Sequence, residues 1–554
     1  METKTAHAET RNERETRPLL SVVVPVYNEA RTIVENVRTI RDRVAAGLGE
    51  PIELIVVSDG SIDQSDERLL ESGVELAKVI HYDRNLGKGY AVKAGALAAR
   101  GRFISYVDAD LDLDPASIPK FLDLAEQESL DFVIGSKRHP GSQVHYPRTR
   151  RLGSWLYQQL VRLLFRLDVR DTQVGLKLFR REIAEEVLPL LVVKQFAFDL
   201  EFLAVARALG YGRIREQPVR LEYQFTGSGV RSVAVLLALV DTAAIFYRLC
   251  ILRYYHRKRE LLPAYSRTRE YHPRVTVFSP AATRMEYEDV EVYEQLAETP
   301  EARVEALQRT RSEIVAFLGE ESVPAANWLD ATVPFLANTH IAAVVMPSMT
   351  PAHGSLRERA AAALEESWLG GGSHYFRFTP GNLRFVQQYP GTNVVARRVY
   401  CLELPEEDLH PARICAALAG RGRLVLYTPE TVVVAPRLPL FRAHLKGTAA
   451  AGRVRGQAIR TFGARGVTAA SLPPLGLLAF ALAGWPLFLA GAGWRLIWLS
   501  LLAAYLTLVT ATGLLAALRF RSLRVGALAA VGVVAVHLTY AVNVLRGIVK
   551  RSGK

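Results

Sequence analysis

A cluster of closely spaced carboxylates follows an apolar, strand-like run in the first quarter of the chain. The run extends from Phe103 to Val107, and the acids are Asp108, Asp110 and Asp112. Acids at the end of a strand point into one crevice, where a divalent cation can hold them together against their mutual repulsion. The cluster therefore predicts a cation-assisted site for a diphosphate.

Two earlier apolar runs also end in polar residues. Ser21 to Val26 stops at a Tyr-Asn-Glu turn, and Leu54 to Val57 closes on Ser58-Asp59-Gly60. Helix-permissive residues follow each run. Strands that alternate with helices predict an α/β fold with a parallel sheet, in which ligands bind outside the carboxyl ends of the strands. All three polar motifs are expected at that edge.

Four short motifs resemble the successive signatures of family 2 glycosyltransferases, which share the Rossmann-like GT-A fold. In chain order they are Pro25–Glu29, Asp59–Ser61, Asn85–Gly89 and Asp108–Asp110. Each alone would be an ordinary turn, but four in this order, each near the end of an apolar run, favour a transferase.

The resemblance implies roles for particular residues. A nucleotide sugar would be bound by Pro25, Tyr27, Glu29, Asp59, Lys88 and Asp108. Asp59 would contact uracil or guanine, and Asp108 and Asp110 would hold Mg²⁺ or Mn²⁺ on the diphosphate. Asp112 is a third metal candidate, because related enzymes often have a neutral ligand at this offset.

The second half of this unit resembles the branch of the family that acts on dolichyl phosphate and polyprenyl phosphate, the β-glucosyltransferases in particular. Gly135–His139, Asp171–Phe179 and Phe198–Glu201 carry that likeness. It implies transfer of a hexose, glucose or mannose, from a UDP- or GDP-sugar with inversion. The catalytic candidates are Asp108, Asp110, Lys137 and Arg138.

Phosphate chemistry gives this acceptor a physical rationale. A monophosphate carries a charge of about −1.5 to −2 at neutral pH, so it is a nucleophile without a general base and needs a cationic pocket instead. The candidates are Lys137, Arg138, Arg148 and Arg151, with Lys177 as an outside candidate. Any one of them alone is equally well interpreted as a solvated surface charge.

Composition predicts more than one folding unit. The 554 residues, 49% of them hydrophobic, can fill several cores. Residues 1–17 are polar without a signal-peptide core, so a disordered tail and a cytoplasmic first unit are expected. Three cysteines without zinc-like spacing (Cys250, Cys401 and Cys415) suggest a reducing compartment.

The C-terminal region predicts a membrane protein. Leu472 to Leu518 and Val525 to Leu545 are almost continuously apolar, and a helix needs about 20 apolar residues to cross a bilayer. Two or three spans are expected within 470–549, because these runs show no polar face of the kind that a soluble core helix has. Basic clusters at several helix ends leave the orientation open.

Charge supports a lipid surface. The formal net charge of +13, from 69 basic and 56 acidic residues, suits a protein on an anionic leaflet. Nucleic-acid binding is not expected, because no basic and aromatic recognition module is visible. An oligomer is left open.

The remaining segments divide the chain further. The first unit is expected over 18–230, and an interfacial amphipathic helix over 231–256, because Asp241, Arg248 and Arg253 interrupt its apolar run. A membrane span is the alternative there. A linker follows over 257–272.

Residues 273–465 faintly repeat the first unit. Gly319-Glu320-Glu321 follows the apolar run Ile314–Leu318 at the place that Asp108–Asp110 has in the first unit. The Tyr-Asn-Glu turn and the Asp-Gly-Ser motif are missing, so a degenerate GT-A-like domain with a structural or partner-recruiting role is expected. A second active enzyme is the alternative, since Glu320 and Glu321 could still bind a cation.

The sequence therefore predicts a multi-pass membrane glycosyltransferase that moves a hexose onto polyprenyl phosphate at the cytoplasmic face. A processive polysaccharide synthase is the enzyme alternative, although none of the six tryptophans follows the Gln-x-x-Arg pattern of that class. A non-catalytic membrane scaffold that binds sugar nucleotides is the alternative from another class.

Overall fold

The structure of the protein is a computed structural model. It describes residues 18–76, 78–82, 85–142, 148–193, 195, 197–220, 232–265, 267–268, 270–279, 287, 289–293, 300–319, 321–351, 354–389, 393–463 and 472–549. The first seventeen residues, expected to form a tail, lie outside these ranges.

The first unit is built on a seven-stranded sheet. Its strands are β1 (Leu20–Val26), β2 (Glu53–Asp59), β3 (Lys78–Tyr82), β4 (Phe103–Val107), β5 (Phe132–Ser136), β6 (Leu176–Arg180) and β7 (Ile214–Pro218). Their order across the sheet is β3-β2-β1-β4-β6-β5-β7. Strand β6 is antiparallel to both of its neighbours, and the other pairs are parallel. This confirms the predicted α/β class.

Helices cover both faces of this sheet. They are α1 (Ile33–Leu48), α2 (Ser65–Glu71), α3 (Lys88–Ala98), α4 (Ile118–Gln127), α5 (Arg148–Phe165), α6 (Arg181–Val187) and α7 (Phe198–Ala208). Two apolar clusters result, one with α1 and α4 on one face and one with α3, α6 and α7 on the other. Alternate residues of β1 divide between them, with Val22 and Val24 in one and Val23 in the other, as expected for a strand buried on both faces.

The segment after the first unit contains α8 (Ser232–Phe246), a π-helical turn (Tyr247–Ile251) and α9 (Tyr254–Arg259). Ile245 and Leu249 are buried in the core of the first unit. Arg248, taken in the sequence as a sign of a surface helix, pairs at 3.3 Å with the fully buried Glu201. The end of the predicted interfacial helix is therefore fixed to protein, because a buried carboxylate needs a partner.

The second unit has a seven-stranded sheet of its own. Its strands are β8 (Val275–Phe278), β9 (Val290–Tyr293), β10 (Ile314–Phe317), β12 (Ile341–Val345), β14 (Arg384–Phe385), β15 (Val394–Arg397) and β16 (Leu424–Tyr427). The order is β14-β16-β12-β15-β10-β8-β9. A small third sheet joins β11 (Val323–Pro324), β17 (Val433–Val434) and β13 (Ser348–Met349).

The two large sheets share six strands in the same order, and each has one further edge strand, β3 in the first and β14 in the second. Read from β9, the second sheet repeats the first from β2 onward, with β8 in the place of β1, β10 in that of β4 and β15 in that of β6. Strand β15 is likewise the member antiparallel to both of its neighbours. The sequence suggested such a repeat from residues 314–321, and β10 has the position in its sheet that β4 has in the first.

Helices of the second unit are short. They are α10 (Pro300–Arg309), α11 (Trp328–Thr332), α12 (Leu356–Glu365), α13 (Trp368–Gly371), α14 (Arg398–Leu402) and α15 (Pro411–Gly420). Helix α12 begins with a complete capping box between Ser355 and Glu358. Its alanine-rich face packs against the C-terminal helices.

Four long helices follow: α16 (Arg442–Phe462), α17 (Leu472–Ala490), α18 (Ala492–Arg519) and α19 (Leu523–Val549). Within the described residues, α18 and α19 are long and apolar enough to cross a membrane. Helix α16, expected from the sequence to belong to the second globular unit, instead packs along α19. Gly452 and Gly456 face α19 there, and a methyl group on Gly456 would lie 2.8 Å from the Cα of Gly547.

Substitution of Gly456 by valine is expected to destabilise the protein by about 1–3 kcal/mol, because the added carbons would collide with the backbone of α19. Gly447→Val is the matched control, since that glycine of the same helix has open space around it. Thermal unfolding of the detergent-purified chain measures both. Equal midpoints for the two variants would contradict close packing of α16 on α19.

Candidate active site

The loops after β1 and β2 are joined to each other by hydrogen bonds. The Asn28 side-chain oxygen accepts from the backbone N–H of Ile62 at 2.9 Å. The backbone N–H of Asn28 donates to the Ser61 hydroxyl at 3.1 Å. The next N–H groups donate to Ser65 (3.0 Å, from Glu29) and Asp63 (2.9 Å, from Ala30). These short polar residues therefore hold the Tyr-Asn-Glu turn over the end of β2.

Asp59, at the end of β2, binds the start of helix α3. Its two carboxylate oxygens accept from the N–H groups of Leu86 (2.8 Å) and Gly87 (3.0 Å). Burial raises the pKa of Asp59, and these hydrogen bonds act in the opposite direction. The predicted nucleobase contact thus also fixes the Asn85–Gly89 motif.

Lys88, the first residue of α3, reaches the acidic triplet. Its ammonium group lies 2.5 Å from Asp108. Burial lowers the pKa of Lys88, and the Asp108 carboxylate raises it. The net shift of this pKa is upward. Gly175, just before β6, makes room for this pair, because a methyl group there would lie 2.6 Å from the carboxyl carbon of Asp108 and 3.1 Å from the Lys88 nitrogen.

The other acids remain close enough to repel one another. Burial and the charge of Asp108 raise the pKa of Asp110, and burial and the charge of Asp110 raise that of Glu29. The pKa of Asp112 is raised by burial, and Lys137 opposes that shift. Glu29 from one predicted motif and Asp108 and Asp110 from another therefore lie in one electrostatic site.

The donor set fits a hard divalent cation as part of a larger coordination shell. Among the residues that the structure describes, no three acidic or histidine side chains converge as ready-made ligands. Mg²⁺ typically takes one or two carboxylates and completes its shell with substrate phosphates and water. The mutual repulsion of Asp108 and Asp110 is the feature that a cation would relieve.

The remaining nucleotide-sugar candidates lie along β1. Pro25 of β1 lies opposite Val57 of β2. On its other side the pairing of β1 with β4 has already ended, at Val23. A proline lacks the N–H that such pairing would need. Tyr27 is 38% exposed, so its ring is available at the rim of the site.

The four acceptor candidates divide into two groups. Lys137 and Arg138 follow β5, and the N–H of Lys137 is fixed to Asp171 at 3.1 Å. Lys137 also faces Asp112, so it lies beside the acidic cluster. Arg148 and Arg151 belong to the first turn of α5, and their side chains lie outside the described part of the chain.

Lys177 is not an acceptor ligand. Its side chain is fully buried and donates to Asp199 and to the carbonyl of Val174, each at 2.6 Å. The hydroxyl of Tyr106 donates to the same Asp199 oxygen. Strand periodicity alone places Lys177 only on a buried face, and Asp199, twenty-two residues further on, is the partner that makes the burial tolerable.

The arrangement as a whole suits an anionic ligand that carries a metal. Acids that follow β1 and β4 approach one another, Lys88 is already paired with Asp108, and the charge of Lys137 acts on Asp112. Such a site can bind a cation with a diphosphate and stabilise charge that develops on it.

Comparisons with known proteins agree with this geometry. Residues 21–188 match glycosyl transferase family 2. Glycosyltransferase AglD of Haloferax volcanii is 35% identical over 206 residues, which cover 37% of this chain and 33% of that protein. Dolichyl-phosphate beta-glucosyltransferase ALG5A of Trichomonas vaginalis is 30% identical over 241 residues, which cover 41% of this chain and 74% of that protein.

The chain spans only a third of the length of AglD. It also has a partial likeness to a solved structure. Glucosyl-3-phosphoglycerate synthase of Mycobacterium tuberculosis, in complex with Mn²⁺, UDP and phosphoglyceric acid, is 20% identical. That match covers 43% of this chain and 81% of the synthase, with a TM-score of 0.34.

Replacement of Gly175 by alanine is expected to weaken binding of Mn²⁺ with UDP or GDP roughly tenfold or more, because the methyl group displaces Asp108 from Lys88. Gly212→Ala is the control, since no atom lies within 4 Å of the methyl group it would add. Isothermal titration calorimetry measures both. Equal affinities for parent and Gly175→Ala would contradict a role of the Asp108–Lys88 pair.

Acidification is expected to weaken Mn²⁺ binding at a higher pH than it would if Asp110 took up a proton as an ordinary aspartate does. The raised pKa of Asp110 means that protons compete with the cation at higher pH. Titrations by electron paramagnetic resonance in steps from about pH 7.5 to about pH 4 measure this. In Asp110→Asn the affinity should be lower and less dependent on pH, and a parent affinity that stays constant would contradict the raised pKa.

Proposed function

The chain belongs to glycosyl transferase family 2, and on that premise we propose that it transfers a hexose from a UDP- or GDP-sugar to polyprenyl phosphate. The observation that carries the proposal is the meeting of Glu29, Asp108 and Asp110 with Lys88 at the ends of β1 and β4 and the start of α3. The names of the relatives supply the acceptor class. We refer to Glu29, Asp59, Lys88, Asp108 and Asp110 as the donor site.

The proposed reaction is a direct displacement. A phosphate oxygen of the acceptor forms a bond to the anomeric carbon, and the bond from that carbon to the diphosphate oxygen breaks, so the electron pair leaves with the nucleoside diphosphate. No proton need be removed from the phosphate, because it is already an anion at neutral pH. This matches a site with acids and lysines and with no histidine among the residues assigned to it.

Four of the five donor-site residues have an assigned task in this reaction. Asp59 holds the start of α3, and its carboxylate oxygens can accept further hydrogen bonds from a nucleobase. Lys88 holds Asp108 in place and adds a positive charge beside the leaving diphosphate. Asp108 and Asp110 would hold Mg²⁺ or Mn²⁺, which neutralises charge on the departing group.

Lys137 and Arg138 are the proposed acceptor ligands, with Arg148 and Arg151 of α5 as further candidates. The position of Lys137, fixed through its N–H by Asp171 and facing Asp112, supports this assignment. A cationic group there would bring the acceptor phosphate toward the diphosphate without repulsion. Arg138 follows it directly at the end of β5.

Two candidate membrane helices support a lipid surface as the location of this chemistry. Helices α18 and α19 are candidate spans, and the apolar face of α12 packs on them. Arginines in α16 favour the cytoplasmic side for the globular units. A lipid-borne phosphate would then meet the donor site near the headgroup layer.

The second unit is proposed to lack transferase activity. It repeats six strands of the sheet, but β10 is followed by Leu318 and Gly319 where β4 is followed by Asp108 and Ala109, and Glu321 is exposed. The N–H of Gly319 donates to the buried Asn393 at 3.0 Å, so a neutral side chain is found near that strand end. Glu320 lies outside the described residues.

The double variant Asp108→Ala/Asp110→Ala is expected to lose transfer roughly 100-fold or more, because the cation and diphosphate lose their ligands. Purified protein in membranes is incubated with radiolabelled UDP-glucose or GDP-mannose and polyprenyl phosphate, with and without EDTA, and labelled lipid is extracted. Glu321→Ala is the control in the second unit and should retain parent activity. Undiminished transfer by the double variant would refute the proposal.

A further inference from the structure

Helix α3 is buried on all sides. Every residue from Gly89 to Leu97 is buried. Its inner face packs on β1 and β2, and its outer face is covered by the second unit, whose Met349, Val432 and Val434 join the same apolar cluster. Because α3 begins with Lys88, the layer that covers the helix also influences where the donor-site lysine stands.

Tyr90 makes the first polar contact across this boundary. Its side chain is 5% exposed, and its hydroxyl donates to the backbone carbonyl of Pro429 in the second unit at 2.8 Å. The ring packs edge to face on Tyr82, with centroids 5.4 Å apart. Tyr82 lies opposite Asp59 in the register of β2 and β3. The contact therefore extends from the second unit to the residue that anchors the start of α3.

Lys93, one turn further along the helix, is affected by charge in the second unit, where Glu430 lines the same cavity as Ala94 and Leu97 of α3. It is 8% exposed and lies in the field of Glu430 in the second unit and of Glu201 in the first. Burial lowers the pKa of Lys93 to about 8, and both carboxylates oppose that shift. Glu430 is itself fixed by Arg267 at 2.6 Å. A buried ammonium needs such compensation, so the second unit supplies charge as well as apolar cover.

Without the second unit, helix α3 would be held from its inner side and at its start only. The helix is held from inside by the sheet, and at its start by Asp59. Without cover on the outside, the first turn of α3 could tilt away from β4, and Lys88 would then spend less time near Asp108. Nucleotide binding would weaken, whereas the displacement step in the complex that still forms would be little changed.

We propose that the second unit positions the donor-site helix of the first unit, with Tyr90 and Glu430 as positioning residues. The inference rests on the proposed function for the identity of the ligand. It gives a degenerate transferase domain a physical task, which is to complete the layer over α3 and so maintain the affinity for the nucleotide.

Tyr90→Phe tests the hydroxyl contact without removing the ring. In the full chain, purified in detergent, we expect the Kd for UDP or GDP with Mn²⁺ to rise about threefold to tenfold by isothermal titration calorimetry. KM for the nucleotide sugar should rise similarly, with kcat within about twofold. Tyr389→Phe is the matched control, because its buried hydroxyl donates to a backbone carbonyl, that of Met346, inside the second unit. Its Kd should stay within about twofold of the parent.

Glu430→Gln tests the charge contact with the same measurements. Glu313→Gln is its control, since Glu313 also binds a mostly buried guanidinium, that of Arg397, at 2.6 Å, but away from α3. Amide hydrogen exchange gives a readout without ligand, and exchange over residues 88–98 should be faster in both test variants than in both controls. Unchanged Kd and exchange in the test variants, or equal changes in the controls, would overturn the proposal.

Failure of the proposed function would look different. If the parent binds a nucleotide but transfers no hexose to polyprenyl phosphate, the acceptor assignment fails and the Kd comparison still decides the inference. If neither UDP nor GDP binds the parent, the donor assignment fails, and exchange over residues 88–98 still decides whether the second unit holds the helix.

Discussion

The contact between Lys88 and Asp108 is the interaction on which the site depends. It joins the start of a helix to the end of a strand at 2.5 Å, in a space that exists only because residue 175 has no side chain. Without the lysine, Glu29, Asp108 and Asp110 would face one another with no opposing charge so near. A cation that binds there must share Asp108 with Lys88. The Asp108 carboxylate would then have two positive partners, the lysine of the protein and the bound cation.

The two globular units share most of a sheet topology but differ in the residues at their strand ends. Six strands of each sheet share their order and the position of the antiparallel strand, yet the Asp-Ala-Asp triplet follows only β4. Topology is maintained by apolar strands such as Ile341–Val345, which any function could use. The site, in contrast, needs particular side chains at a few strand ends.

Much of the site could be predicted from the sequence, because its residues follow apolar runs that alternate with helices. Strands β1, β2 and β4 end where the Tyr-Asn-Glu turn, Asp59 and Asp108 begin. Contacts between distant residues could not be predicted. The partners Tyr90 and Pro429 are 339 residues apart, and Lys177 resembles any cation until Asp199 is placed beside it. The pairing of Arg248 with Glu201 was hidden in the same way, since an apolar pattern does not show where a charge is neutralised.

The glycine contacts between α16 and α19 have a mechanical consequence. Backbones that touch leave no slack for sliding, and Arg453 and Asn543 add a cross-tie at 3.0 Å. The two helices therefore behave as one rigid unit. Displacement of either helix along its axis must therefore displace the other, and α16 carries that motion to the second unit, which it directly follows in the chain.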